Sequence, residues 1–217
     1  ADQVVLFPMM AGGSFDACLD HSVAVQAAII ARQIRRPVQL AWSRAEEIMR
    51  LPPRAPARAR MSATLNAAGG IDALVTRIAV PATNHEVRAR LFDNAPADVA
   101  QRAAAGSVDA AAVEGAASSY AIPHHAVDHC PADIGLPTGR WRGNADSYTA
   151  FFTECFIDEL AARAGTDALS YRMAMLGDAP RLARCLLTAT SLGGWEGGMS
   201  GAAQGLAILP GISRSGM

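Results

Sequence analysis

The chain predicts an α+β fold built on a mixed sheet. Three patterns point there: a strand-like run, glycine turn and amphipathic helix near the start, a glycine hairpin in the middle, and a group of helices after Tyr148. A hairpin joins antiparallel strands, whereas a strand–helix–strand passage places strands parallel, so the two together make a mixed sheet. With 217 residues, 51% hydrophobic and only 18% charged, the chain is large and apolar enough to fold around a core.

Val4 to Phe7 reads as the first strand, followed by the turn Ala11-Gly12-Gly13-Ser14-Phe15. His21 to Arg36 carries Val23, Ala27, Ile30 and Ile34 at helical spacing, and Pro37 stops it. Val38 to Trp42 reads as a strand, and Ser43 with Glu46 forms a capping box for a short helix, Arg44 to Met49. Met61 to Asn66 and Ile71 to Val80 flank Ala-Ala-Gly-Gly as a hairpin. Asn84 to Ala112 has poor periodicity and yields no assignment. Val113 to Ala117 reads as a short helix and Ala126 to His129 as a strand. Tyr148 to Arg163 is the strongest helix, with Phe151, Phe152, Cys155, Phe156 and Leu160 as its apolar stripe and Gly165 at its left-handed end. Ala168 to Leu176 and Arg181 to Ala189 follow as shorter helices, Pro180 opening the second. Composition shifts after Thr190 to a glycine-rich apolar stretch, so two regions are expected, 1–190 and 191–217.

A net charge of −1 gives no nucleic-acid footprint. The basic run RLPPRAPARAR, Arg50 to Arg60, reads as a solvated connection. Cys18, Cys130, Cys155 and Cys185 lack the paired spacing of a metal knuckle, and Cys155 and Cys185 read as small buried side chains. His124 and His125 fall on opposite faces of a strand and, with His129, read as structural or surface residues. Asp158 and Glu159 suit solvation, a cap or a tertiary salt bridge. No protein metal ligand is assigned. No charged-then-apolar leader opens the chain, and its start reads as the interior of a longer protein.

Leu136 to Gly165, LPTGRWRGNADSYTAFFTECFIDELAARAG, is the segment with the most chemistry. A Pro/Gly turn, arginines and two backbone-freeing glycines, Gly139 and Gly143, stand directly before a helix. Such a loop can offer N–H groups and a guanidinium to an anion. The Gly12 turn has the same relation to its own helix. Two such loops suit a bound anionic cofactor, although each is also compatible with an ordinary turn and cap.

Read in order, AGGSFDACLDHSVAVQAAIIARQIRRPVQLAWSRAEEIMR, VEGAASSYAIPHHAV and the Leu136 segment resemble the molybdopterin-binding large subunit of molybdenum hydroxylases. These belong to the xanthine dehydrogenase and aldehyde oxidase superfamily. Within it the chain is most similar to isoquinoline 1-oxidoreductase beta subunits, over about Val4 to Thr190. The resemblance implies that Gly12, Gly13, Ser14, Phe15 and Asp16 stand where the family carries a Gly-Gly-Gly-Phe-Gly loop beside the molybdenum. Asp16 departs from that pattern, placing a carboxylate where glycine permits close approach. Arg142 matches the arginine of the family's Pro-x-Gly-x-x-Arg loop, with Gly139 and Gly143 allowing the loop to come near. Trp141 either lines the pocket or anchors the loop, and Arg140 reads as solvated.

The resemblance further implies a molybdopterin-type molybdenum cofactor held by this chain, and iron–sulfur clusters only on a partner electron-transfer subunit. The substrate class is a small N-heterocycle or aldehyde, hydroxylated with oxygen from water, and the location is the periplasm or the cytoplasmic-membrane side. The family's catalytic base is a glutamate in a Gly-x-Gly-Glu loop, which has no match here; Glu196 in Gly-Gly-Trp-Glu-Gly-Gly stands in the wrong place. No catalytic residue is therefore assigned, and whether the chain is itself an enzyme stays open. Two other readings stand beside this one. The chain could be a noncatalytic assembly fragment. Its tail, Gly201 to Met217, resembles the phosphate-handling motif of undecaprenyl-diphosphate phosphatase, with Gly211, Ser213, Arg214 and Ser215 around a lipid diphosphate.

Overall fold

The structure, a computed structural model, describes residues 21–195. The expected Val4 strand, the Gly12 turn and the phosphatase-like tail all lie outside the described residues.

Helix α1, Ser22–Ile34, ends where Arg35 turns left-handed at φ 55°. Residues 37–43 then run irregularly, so the strand expected over Val38 to Trp42 does not form. The β-rich pattern there finds no partner edge among the described residues, and Trp42 Nε1 instead donates to Gln26 of α1. Ser43 caps α2, Arg44–Arg50, its hydroxyl accepting from Glu46 N as the capping box requires.

The hairpin forms as expected, between β1, Arg58–Leu65, and β2, Ile71–Val80. Asn66 builds the turn, its Oδ1 accepting from the N–H groups of Ala68 and Gly70. Strand β3, His124–Pro131, pairs parallel with β2, while β1 pairs with it antiparallel, giving the mixed order β1-β2-β3. The central strand is the most buried: Leu74, Ile78 and Val80 are at most 1% exposed.

The parallel connection from β2 to β3 contains the elements that periodicity did not reveal: α3, Thr83–Phe92, α4, Ala97–Ala104, and a 3₁₀ turn, Ala110–Val113. The physical reason is visible in their buried faces. Helix α3 buries Glu86 and Arg90 beside a single Val87, and α4 buries Ala100, Gln101 and Ala104. Charged and small residues leave little apolar rhythm to detect. The short helix expected over Val113 to Ala117 is shifted toward the N-terminus, because Asp109 caps the turn through Ala111 N and Gly115, at φ 79°, follows it.

Helix α5, Asp146–Arg163, covers the sheet with Thr149, Thr153, Ile157, Leu160 and Ala161. Of the expected stripe of Phe151, Phe152, Cys155, Phe156 and Leu160, Leu160 is buried and Phe152 and Phe156 pack against the core from the side, whereas Phe151 is 46% exposed. Thr149 can face inward because backbone carbonyls accept its hydroxyl, Ala145 O at 3.0 Å among them. Helices α6, Ala168–Ala174, and α7, Pro180–Leu192, complete the described chain, and α7 runs through the expected boundary at residue 190. Cys185 is exposed on α7 rather than buried, while Cys155 is half-buried.

Arg172 of α6 ties itself to α5. Its guanidinium donates to both Glu154 and Asp158, and to the carbonyls of Glu154 and Ala168. Tyr120 adds its hydroxyl to Glu154. Burial disfavours the Arg172 charge, but the surrounding Tyr120, Glu154 and Asp158 outweigh it and hold the proton more firmly than usual. Asp158 is thus the tertiary salt-bridge residue that its position allowed.

Candidate functional site

The loop between β3 and α5 is gripped from three directions. At its start, Thr138 meets a buried ion pair on α3. Glu86, 2% exposed, accepts from Thr138 N at 2.7 Å and from the Thr138 hydroxyl at 2.9 Å. Arg90 lies 3.6 Å from Glu86 and donates to Thr138 O at 2.9 Å. The backbone donor, side chain and carbonyl of one residue are all engaged. Burial pushes the Glu86 carboxyl above its ordinary range, against the opposing pull of the Thr138 bonds and Arg90.

In its middle, the loop lies against the strap 52–54. Gly139 N donates to Pro53 O at 2.9 Å, and Arg54 and Gly139 form an isolated parallel bridge. A Cβ on Gly139 would stand 2.6 Å from Pro52 O, so glycine is needed for this approach. Trp141 Nε1 donates to the same Pro52 carbonyl at 3.0 Å. At its end, Arg54 donates to Arg142 O at 2.8 Å, Asn144 O at 3.2 Å and Ser147 Oγ at 2.7 Å. Gly143 and Asn144 are both left-handed, at φ 80° and 39°.

Beside the loop opens a small cleft whose lining includes Arg54, Asn84, Asp109, Arg140, Trp141 and Tyr148. Asp109 is buried, and its oxygens accept from Asn84 N and Ala111 N. Arg140 reaches Asn84 and Asn144, which corrects its reading as a solvated residue. Tyr148 donates to Ala112 O, and burial pushes its phenol up to about 12, so it remains a donor near neutrality. The donor set along the loop, guanidinium and backbone amide with freed glycine geometry, fits an electron-rich, anionic group.

Of the expected site residues, Gly139, Trp141, Arg142 and Gly143 fall in this one loop; Gly139 and Trp141 line the cleft, and Arg142 is exposed beside it. Gly12, Gly13, Ser14, Phe15 and Asp16 lie outside the described residues, so the structure does not relate the two loops. Sequence reasoning missed Arg54, which stands in the run read as a solvated connection. The signal was the Pro-Pro pair directly before it, which fixes the strap in an extended path and leaves its carbonyls available. Glu86 and Arg90 carried only an i, i+4 charge spacing, ordinarily a surface pattern.

Among the described residues no group of three or more His, Cys, Asp or Glu side chains could hold a metal. His129 bridges two elements instead: its Nδ1 accepts from Asp109 N and its Nε2 donates to Val80 O. Nor, among the described residues, is any helix long and apolar enough to cross a membrane.

Comparison with known proteins gives this geometry a context. Isoquinoline 1-oxidoreductase subunit beta of Brevundimonas diminuta is 24% identical over 208 residues, covering 95% of this chain and 25% of that protein. The chain thus spans about a quarter of that relative's length. The aldehyde oxidoreductase of Desulfovibrio gigas shares the fold with a TM-score of 0.54 at 20% identity, over 75% of this chain and 16% of that one. These matches lend nothing to a phosphatase-like tail. The family model of the molybdopterin cofactor-binding domain matches residues 1–176, more than half of the sequence, and the chain belongs to that family.

Proposed function

We propose that this chain supplies part of the cofactor-binding wall of a molybdenum hydroxylase that oxidises an N-heterocycle or an aldehyde. The observation that carries this reading is the Arg142 loop, fixed by Glu86, Arg90 and Arg54 at the start of α5. The cofactor-facing residues are Gly139, Trp141, Arg142 and Gly143, together with the Gly12, Gly13, Ser14, Phe15 and Asp16 turn. When bound, the molybdenum–pterin group supplies the two-electron chemistry that amino-acid side chains lack. The chain's own residues orient that group and balance its charge. Arg142 offers a planar, permanently charged donor fork. Gly143 removes the side chain that would keep the backbone at a distance. Trp141, tied to Pro52, forms one wall of the cleft and excludes water there. The base and the iron–sulfur electron path belong to other parts of the assembly.

The test is expression in a host that makes the cofactor, followed by molybdenum and pterin analysis of the purified chain. Wild type is expected to retain both, and Arg142→Ala to retain several-fold less. A wild-type chain that folds yet carries neither sinks the proposal.

The assembly-fragment reading has its own support in α1. None of its residues is buried, and Val25, Ile29, Ile30 and Ile34 are all exposed. Such a stripe suits a partner surface. Sedimentation across a concentration series checks it: a monomer at all concentrations that also turns over substrate would remove this reading.

A further inference from the structure

We infer that Arg54 is a positioning residue for the Arg142 loop, acting through the Arg142–Gly143 and Asn144–Ala145 peptides; this rests on the proposed cofactor role of that loop. The described chain contains no cis peptide. In a trans peptide the carbonyl and the N–H point in opposite directions. When Arg54 holds Arg142 O, it turns the Gly143 N–H away from the strap. Its hold on Asn144 O does the same for the Ala145 N–H. Two donors at the entrance to α5 are therefore aimed by one guanidinium.

The backbone explains why one side chain must reach both carbonyls. Consecutive left-handed residues, Gly143 and Asn144, fold the chain so that the two oxygens converge on Arg54. Converging carbonyls repel unless a cation lies between them. A planar guanidinium satisfies them from two nitrogens: Nη2 serves Arg142 O, while Nη1 serves Asn144 O and Ser147 Oγ. An ammonium cannot reproduce that fork. Arg54 is also registered to the loop through its own backbone, by its bridge to Gly139 and the neighbouring Gly139 N to Pro53 O bond. Strap and loop therefore form one unit. All three hydrogen-bond acceptors are oxygens of the loop and the first turn of α5, and none is a carboxylate, which separates this contact from a surface ion pair. Arg54 is exposed as a residue, and the partial desolvation of its guanidinium against the loop pulls its pKa down from the ordinary value.

The experiment compares wild type, Arg54→Ala, Arg54→Lys and Ser147→Ala in the full 217-residue chain. Amide hydrogen exchange is followed in residues 139–147 and, as a reference, in β2. Arg54→Ala is expected to accelerate exchange across 139–147 by about tenfold, the size of losing one net hydrogen bond to a charged group, and to leave β2 unchanged. Arg54→Lys should fall between, and Ser147→Ala, which keeps the Arg142 O contact but removes the hydroxyl that joins Arg54 to Asn144 O, should loosen the loop less than Arg54→Ala does. Guanidinium chloride at non-denaturing concentration should restore protection to Arg54→Ala, where sodium chloride does not. That rescue distinguishes a seated guanidinium from general stabilisation. Unchanged exchange in 139–147, or acceleration spread equally through β2, overturns the inference. If Arg54→Ala does not fold, the Arg54→Lys comparison decides it by the same criteria. Molybdenum and pterin content is measured in parallel. A loosened loop that retains as much cofactor as wild type overturns the positioning role. A loosened loop in a chain whose wild type retains no cofactor overturns the functional reading and leaves the Arg54 hold on the loop standing.

Discussion

Arg172 and Arg54 both brace α5, one at its middle and one at its first turn, and they do so with different kinds of acceptor. Arg172 faces Glu154 and Asp158, two carboxylates one helical turn apart that would repel without it. Its side chain is only 9% exposed. Arg54 meets backbone carbonyls in an irregular loop whose strands and helices have already ended. The first arrangement joins regular elements that exist without it. The second substitutes for secondary structure where the chain has none. From that difference, loss of Arg172 should be felt by the whole fold, and loss of the loop contacts mainly by the shape of the site.

The sharpest test of the contrast is Arg172→Met. It leaves two mostly buried carboxylates without their cation, and breaking a buried pair in this way costs about 3–5 kcal/mol. Denaturant unfolding should show a lower midpoint with an unchanged slope. A loss below about 1 kcal/mol, the range of an exposed ion pair, would erase the distinction between the two arginines.

Glu86→Gln comes next, with an expected cost of about 1–3 kcal/mol from mispaired buried donors around Thr138. Its pH dependence has a definite sign. Burial raises the folded-state pKa of Glu86, so folding takes up a proton between the unfolded and folded values. The stability this group contributes is full below the unfolded value and declines as pH rises through that window. Gln does not titrate. The stability gap between wild type and Glu86→Gln should therefore widen as pH falls through the region just above the ordinary carboxylate range. A gap that narrows there would contradict the desolvated environment assigned to the carboxyl.

Gly139→Ala probes the seam between strap and loop. The new Cβ meets a backbone carbonyl at 2.6 Å, which a rotamer change cannot relieve. A cost of about 1–3 kcal/mol is expected for such overpacking, together with faster exchange in 139–147 and loss of cofactor. A variant as stable and as well protected as wild type would show that the strap yields freely.

The same contrast explains what the sequence made legible. The hairpin was readable because Asn66 and the glycines determine a turn locally, and α5 because its length and the left-handed Gly165 after it are local as well. Its buried face was readable only in part: Leu160 is buried and Phe152 and Phe156 pack beside the core, but the threonines at its centre gave no signal. Three phenylalanine positions outweigh two threonines in any hydrophobic tally, yet Thr149 bonds to Glu114 O and Ala145 O and turns inward. Helix α3 was lost for a related reason: Glu86 and Arg90 are buried through a partner, Thr138, that lies about fifty positions away in sequence. The loop itself, from Gly139 to Gly143, stood out from its proline, glycine and arginine spacing. Its supports did not, since the role of Arg54 exists only once residues 88 and 90 positions later are brought beside it.

The smallest expected effect separates strain from position within the loop. Asn144 is left-handed at φ 39°, where glycine is at no disadvantage. Asn144→Gly should relieve a fraction of a kcal/mol to about 1 kcal/mol of backbone strain. The substitution also removes Asn144 Oδ1, which accepts from Arg140 Nε at a long 3.3 Å, and frees the unfolded chain. These effects oppose one another, so thermal unfolding should stay within about 1 kcal/mol of wild type. The Arg54 contact to residue 144 uses its carbonyl, which glycine retains, so exchange at residue 144 and at Ser147, whose amides bond to Trp141 O and Gly143 O, should stay slow. Stability unchanged with the loop loosened would transfer the positioning role from Arg54 to the Asn144 side chain. Stability and protection both preserved would place it on the backbone contacts, where the two carbonyls and one guanidinium put it.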